Sequence, residues 1–485
     1  METCRLPPCI KLACHGEELD EIINKAKDWA LMHGISMRSK TSFSRNQVQI
    51  LPFTLLPSSF PRKNFEKAKN IQTLLNELMH KVAHDENFIV TSLKSTIQAD
   101  PFTAKLFNIF ETVRKEGVGQ VLSLGLLRSD YMLHESLETK IKQIELNTIA
   151  SSFGGIAPIT SHYHKYILSE LGHKDKLKNL PENNSITGLC KGLIHAWSLY
   201  GDKKAVILFV VEEVTYNICD QRFHEFEIRK LNPDIKVIRK SLKSLALSAK
   251  LGPNRELLVD NILVSVVYFR SGYEVDAYPT EQEWDVRLLI EKSRAIKCPS
   301  IQYHLAGTKK IQESLAQPGA LKRFFKDENK IKQIEEVFAG LYSLEFNQKG
   351  EEIIKKAISD PKSYVLKPQR EGGGNNVYND DIKTYLNAMG KSEERTAWIL
   401  MDRICPPMQT NYIIRTINEE QPEGFNPYVS DVVSELGVYG VIIGNHDAIV
   451  YNEEVGHILR TKPAYENEGG IAAGIGALDS PYLIS

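Results

Sequence analysis

The strongest apolar run in the chain, AVILFVV at positions 205–211, is only seven residues long. That is the length of a strand buried on both faces, and far short of the roughly 18 residues that a membrane-spanning helix needs. A helical pattern follows Asp220, then a short strand at 237–239 and a second apolar run at 262–269. Apolar strands alternating with helices predict a parallel α/β unit, whose ligands sit beyond the C-terminal ends of the strands. Asn217, Gln221, Arg270 and Tyr273 all fall just past those ends. Solvent-facing Arg and Tyr would look the same in a sequence, so position alone leaves both readings open.

Around this unit the pattern is mixed. Leu19, Ile22, Ile23, Ala26, Trp29 and Ala30 recur at helical spacing with Gly34 as a stop, and a second period runs from Phe65 to Val82 with Asn64 placed to cap it. Residues 309–360 are charged and helical, and a short strand at 363–366, a helix near 380–390, a strand at 398–404 and a strand-rich stretch at 412–462 follow. With no repeat and no separating linker, the 485 residues read as one interlocked body with a smaller lobe.

Charge excludes some partners. The chain has 60 Lys and Arg against 61 Asp and Glu, a net charge of −1, which argues against a polybasic nucleic-acid or membrane binder. The N-terminal stretch is broken by Pro7, Pro8 and charges and lacks a secretory apolar core, so a cytoplasmic protein is expected. Seven scattered cysteines without a CxxC pair read as reduced thiols, and Cys4, Cys9, Cys14 and His15 match no standard metal spacing.

Two segments carry chemistry. In KPQREGGGNNVY, from Lys367 to Tyr378, Gly372, Gly373 and Gly374 free backbone N–H groups to face an anion, with Lys367 and Arg370 adding charge, although such a tripeptide also serves as a plain turn. Glu371 offers oxygen to a hard cation such as Mg²⁺. The alternating stretch IKQIELN reads as a strand on which Glu145 and Asn147 project to one side, so that both oxygens can meet one cation or simply face solvent. Ser151 and Ser152 follow in a flexible turn. Arg128 and Arg460 supply forks that grip carboxylate or phosphate, as surface ion pairs also would. There is no Walker A loop, HExxH, GxSxG, kinase signature or dinucleotide fingerprint, which removes the best evidence for hydrolases and dehydrogenases.

Taken together, the strand with paired oxygens, KPQREGGGNN, AGTKK at 306–310, SELG at 434–437 and LRTK followed by GGIAAG resemble the eukaryotic glutathione synthetase family of the ATP-grasp superfamily, over nearly the whole chain. The resemblance implies an α/β fold: an ATP-grasp body with an inserted parallel α/β substrate-binding domain and a smaller lid lobe. The segments expected are 1–203 for the N-terminal body, 204–308 for the substrate-binding domain, 309–410 for the ATP-binding and lid region and 411–485 for the C-terminal body. It implies a homodimeric, Mg²⁺-dependent ligase that joins γ-glutamylcysteine to glycine while ATP becomes ADP and phosphate, without nucleic acid or membrane.

By the family pattern Glu145, Asn147 and Glu371 hold Mg²⁺. Lys309, Lys367, the loop with Asn375, Asn376 and Tyr378, the strand with Met401, Asp402, Arg403 and Ile404, and Glu435, Lys462 and Glu468 surround ATP. Arg128, Ser151, Ser152, Thr215, Asn217, Gln221, Arg270, Tyr273 and Arg460 face the peptide, with Ile471 and Ala472 on a closing loop. The catalytic set is Arg128, Ser152, Gly372, Gly373 and Arg460. Ala150, Thr215, Asp402 and Glu468 depart from the pattern; Thr215 stands where an acidic residue often meets the substrate amine. A related ligase using β-alanine, or a non-catalytic ATP-binding protein on the same fold, are the alternatives.

Overall fold

The computed structural model describes residues 5–12, 16–135, 139–371, 373–415 and 429–485. Cys4, Cys14, His15 and Gly372 therefore lie outside the described residues.

A seven-stranded sheet forms the body. Its order is Gln409–Ile414, Phe53–Thr54, Ala477–Asp479, Ile449–Pro463, Val429–Gly444, Ser123–His134 and Lys140–Asn147, and Gln409–Ile414 also pairs with Val429–Gly444, so part of the sheet closes on itself. The long Val429–Gly444 strand is central and lies antiparallel to both neighbours. The Arg62–Ala83 helix buries Phe65, Ala68, Ile71, Leu75 and Leu78 on this side of the molecule. Another helix, Ser185–Tyr200, packs close because it presents glycines: a Cβ on Gly188 would lie 2.4 Å from Val455, and one on Gly192 would lie 2.5 Å from Val441.

The expected α/β unit is a six-stranded sheet. Val237–Lys240, Val206–Val210, Ile262–Phe269 and Ile296–Cys298 run parallel, and Leu257–Val259 and Ala249–Leu251 add an antiparallel edge that the apolar pattern did not announce. Ile218–Leu231 is the helix that follows its first strand. A four-stranded antiparallel sheet, ordered Leu341–Ser343, Trp398–Asp402, Tyr364–Pro368 and Val377–Tyr378, carries the smaller lobe and has its own apolar core.

Two local expectations change. Asn64 does not cap the second helix: the helix starts at Arg62 after Pro61, and Asn64 sits in its first turn, donating to the Thr139 carbonyl at 3.1 Å. The strand at 398–404 ends at Asp402, because the Arg403 N–H turns away to the Ser363 carbonyl, leaving Ile404 beyond it.

Burial makes the body acid-sensitive. Desolvation pushes the pKa of His80 down to about 4 and those of His164, His304 and His457 down to about 3. These rings stay neutral in the fold while the unfolded chain protonates them near pH 6.5, so their contribution is present above that pH and is lost as pH falls. Stability in urea should drop between pH 7 and 5, by up to about 1.4 kcal/mol per pH unit for each fully titrating histidine. Neither ring nitrogen of His457 has a hydrogen-bond partner, so His457→Leu should flatten that slope by one group.

Candidate active site

The sheet register assembles the charges. Cross-strand pairing sets Arg128 opposite Asn147, Asp130 opposite Glu145 and Gly437, and Glu435 opposite Arg460. Alternation along each strand then brings these side chains to one face. At the centre is a residue that the sequence reading missed, Asp130. Its Oδ1 accepts from Arg128 Nε at 2.7 Å; its Oδ2 accepts from Arg128 Nη2 and Arg460 Nη2, each at 2.8 Å, and from Asn147 Nδ2 at 2.9 Å. Burial alone would raise its pKa, but the two guanidinium groups hold it below the usual carboxylate range. Gly437 makes the room: a Cβ there would lie 2.8 Å from Asp130 Oδ1 and 2.9 Å from Arg128 Cδ.

Both arginines are partly committed within the sheet. Arg128 does not present a free fork; Asp130 occupies it, leaving Nη1 to reach the Ser152 carbonyl at 3.3 Å. Arg460 pairs with Asp130 and also with Glu435, which joins two groups expected to serve different ligands.

On the near side of this row, three distant segments meet. Lys309 Nζ lies 3.8 Å from Glu145 and 3.6 Å from Glu371, and donates to the Arg370 carbonyl at 2.6 Å. Asn147 Nδ2 reaches Glu145 Oε1 at 3.2 Å. Lys367, buried, donates to the Ile144 carbonyl at 3.1 Å, and desolvation pushes its pKa down to about 8, as it does for Lys462. Burial, with the like charge of Glu145 beside it, pushes the Glu371 carboxyl up. Desolvation would lower the Lys309 pKa, but Glu371 and Glu145 hold it raised.

The glycine-rich loops touch each other through Glu468. Its Oε2 accepts from the Gly374 N–H at 3.2 Å, and its Oε1 from Asn376 at 2.9 Å and the Tyr378 hydroxyl at 3.0 Å. Asn375 turns back to the Gly373 carbonyl at 3.1 Å. Lys462 binds the Asn467 carbonyl, and Arg403 bridges Asn379 at 2.6 Å and Asn467 at 3.1 Å. Met401 is buried, and Asp402 accepts from Tyr342 at 3.2 Å. Ile471 buries its side chain in the core, whereas Ala472 is half-buried.

The serine turn is wedged between the two halves of the site. Ala150 and Phe153 adopt left-handed backbone, with φ of 51° and 69°. Asp220, also missed, holds the turn by accepting from the Phe153 and Gly155 N–H groups at 2.9 and 2.8 Å. Arg270 binds the Ser151 carbonyl and Asp220 Oδ2, both at 3.0 Å, and Ser152 Oγ at 3.1 Å. Tyr439 donates to the Ser152 carbonyl at 2.7 Å. Arg128 and Arg270 thus flank Ser152, while Ser151 Oγ, Arg270 Nε and Asn217 Oδ1 are buried without partners. Gln221 is buried, Tyr273 is half-buried, and the Thr215 hydroxyl accepts from Arg239 at 3.2 Å.

Among the described residues no group of three or more His, Cys, Asp or Glu could hold a metal ion. The Glu145, Asn147 and Glu371 set still fits Mg²⁺: two carboxylates and an amide are hard oxygen donors, and this ion takes few protein ligands. Asp130→Asn should leave two buried guanidinium groups short of charge, costing about 3–5 kcal/mol in urea unfolding.

The family described as eukaryotic glutathione synthase, ATP binding domain, matches residues 16–483. The glutathione synthetase of Xenopus laevis is 42% identical over 470 residues, covering 96% of this chain and 97% of that one. That of Homo sapiens is 40% identical over 472 residues, covering 96% and 98%. A chloroplastic glutathione synthetase of Arabidopsis thaliana is 38% identical over 477 residues, covering 96% and 86%. The solved structure of a glutathione synthetase-like effector from Globodera pallida superposes with a TM-score of 0.77 at 24% identity, covering 99% of this chain and 100% of that one, which shows the shared fold. Matched along nearly its full length, the chain belongs to the eukaryotic glutathione synthetase family of ATP-dependent ligases.

Proposed function

We propose that the chain phosphorylates the C-terminal carboxylate of γ-glutamylcysteine with ATP and passes the resulting acyl phosphate to the amine of glycine, releasing glutathione, ADP and phosphate. The observation that carries this reading is Lys309 standing between Glu145 and Glu371, which joins three distant stretches of chain at one point.

Lys309, Lys367 and Lys462 offset the charge of the triphosphate, and the Gly373 amide offers a donor to it. Glu145, Asn147 and Glu371 would hold Mg²⁺, which supplies charge neutralisation to the phosphate oxygens. Arg128, Ser152 and Arg460 orient the donor carboxylate and stabilise the oxyanion that forms when the amine attacks. Little acid or base chemistry is needed, because an acyl phosphate is already activated and positioning does the rest. Water must be kept away from it, which gives the two glycine-rich loops their task as covers.

The direct test is to incubate the pure protein with ATP, Mg²⁺, γ-glutamylcysteine and glycine and weigh the product. Tripeptide should form, should vanish without Mg²⁺, and should exceed the β-alanine product in competition. Gly373 has φ +71°, so Gly373→Val strains the loop backbone. That variant should keep its near-UV circular dichroism and lose turnover by more than about tenfold, as expected when cover geometry is spoiled.

The homodimer, the cytoplasmic location and the segment boundaries after residues 203, 308 and 410 belong to the same proposal. No helix among the described residues is long and apolar enough to cross a membrane. Sedimentation velocity should give twice the chain mass.

A further inference from the structure

The pocket beyond the parallel strands holds a carboxylate to which no role has yet been given. Glu212 follows the Val206–Val210 strand, Arg239 lies on the neighbouring Val237–Lys240 strand, and Arg270 follows Ile262–Phe269, so three strands deliver them to one edge. Each arginine has an acid of its own. Arg270 pairs with Asp220 at 3.0 Å, and Arg239 pairs with Glu225 at 2.8 Å. Glu212 is different: no Lys or Arg among the described residues lies within ion-pair distance of it, and the hydrogen bond to its carboxylate comes from Gln221 Nε2 at 3.2 Å. That amide is fixed in orientation, because Gln221 Oε1 accepts from Arg239 at 2.7 Å.

Three buried polar atoms in the same pocket have no partner: Arg270 Nε and Ser151 Oγ, in residues 2% and 6% exposed, and Asn217 Oδ1. An N–H and a hydroxyl suit a carboxylate; an amide oxygen one helical turn before Gln221, the residue that bonds the Glu212 carboxylate, suits an ammonium. The set is complementary to a free amino-acid end, which carries both. Thr215 offers no charge, and its hydroxyl is already used by Arg239.

We propose that Glu212 is the specificity-determining residue that receives the α-ammonium of the γ-glutamyl donor, with Asn217 Oδ1 as second acceptor and Arg270 Nε and Ser151 Oγ on the α-carboxylate. This assignment rests on the donor named under the proposed function. It makes the ammonium a required part of the donor, because a Glu212 left without it would be a half-buried charge with one neutral partner.

The test compares γ-glutamylcysteine with glutarylcysteine, which has hydrogen in place of the α-ammonium, by calorimetric titration and by steady-state kinetics, in the wild type, Glu212→Gln and Glu274→Gln. The wild type should bind γ-glutamylcysteine more tightly than glutarylcysteine. Glu212→Gln should shrink that preference roughly tenfold to a hundredfold, the loss of one charge-assisted hydrogen bond, with the KM for ATP unchanged. Glu274→Gln, on the exposed neighbour, should keep the preference. A Glu212→Gln protein that discriminates as the wild type does, or a Glu274→Gln protein that loses discrimination instead, overturns the assignment. Absence of tripeptide from the wild type would overturn the proposed reaction separately, since the titration reads the pocket without turnover; a wild type indifferent to the ammonium in titration overturns the role of Glu212.

Discussion

One buried carboxylate organises the body of this protein. Asp130 takes four hydrogen bonds, from two arginines and an amide, on the floor of the sheet. A lone charge there would be prohibitive to bury, and so would two lone guanidinium groups; together they are tolerable because each satisfies the others. Gly437 is the geometric condition, since a Cβ at this one position of the central strand would crowd both Asp130 and Arg128. What looked in the sequence like separate ligand-binding arginines is first a structural lattice, and the groups left over on its surface are the ones available to a substrate.

That lattice divides the site into two neighbourhoods joined by the serine turn. On one side Glu145, Asn147, Lys309, Lys367 and Glu371 form a charged cluster of oxygen donors and ammonium groups. On the other, Asp220 and Arg270 anchor the pocket at the ends of the parallel strands. The turn between them carries left-handed backbone at Ala150 and Phe153, a conformation costly for residues with a side chain, and the two bonds from its amides to Asp220 hold it there. Strain of this kind persists where surrounding contacts fix it, and here it sets Ser152 between two guanidinium groups.

How much of this could be read from the residues varied with the range of the interaction. Strands at 206–210 and 262–269 were legible because continuous apolar runs bounded by polar residues have few other solutions. The pairing of Glu145 with Asn147 was legible because a strand repeats every two residues. The same rule offered Arg128 and Asp130 as neighbours two apart, yet nothing local says that Arg460, 330 positions away, shares their acid. The Asn64 cap failed because its side chain had a tertiary partner at Thr139 that a helix-start rule does not weigh. Glu212 passed unnoticed because a Glu after a strand is ordinary; only the pairing of every nearby arginine elsewhere sets it apart.

Glu468 joins the two glycine-rich loops to one another through Gly374, Asn376 and Tyr378. Coupled in this way, the two loops share one anchor, and separating them means breaking three hydrogen bonds to a single carboxylate.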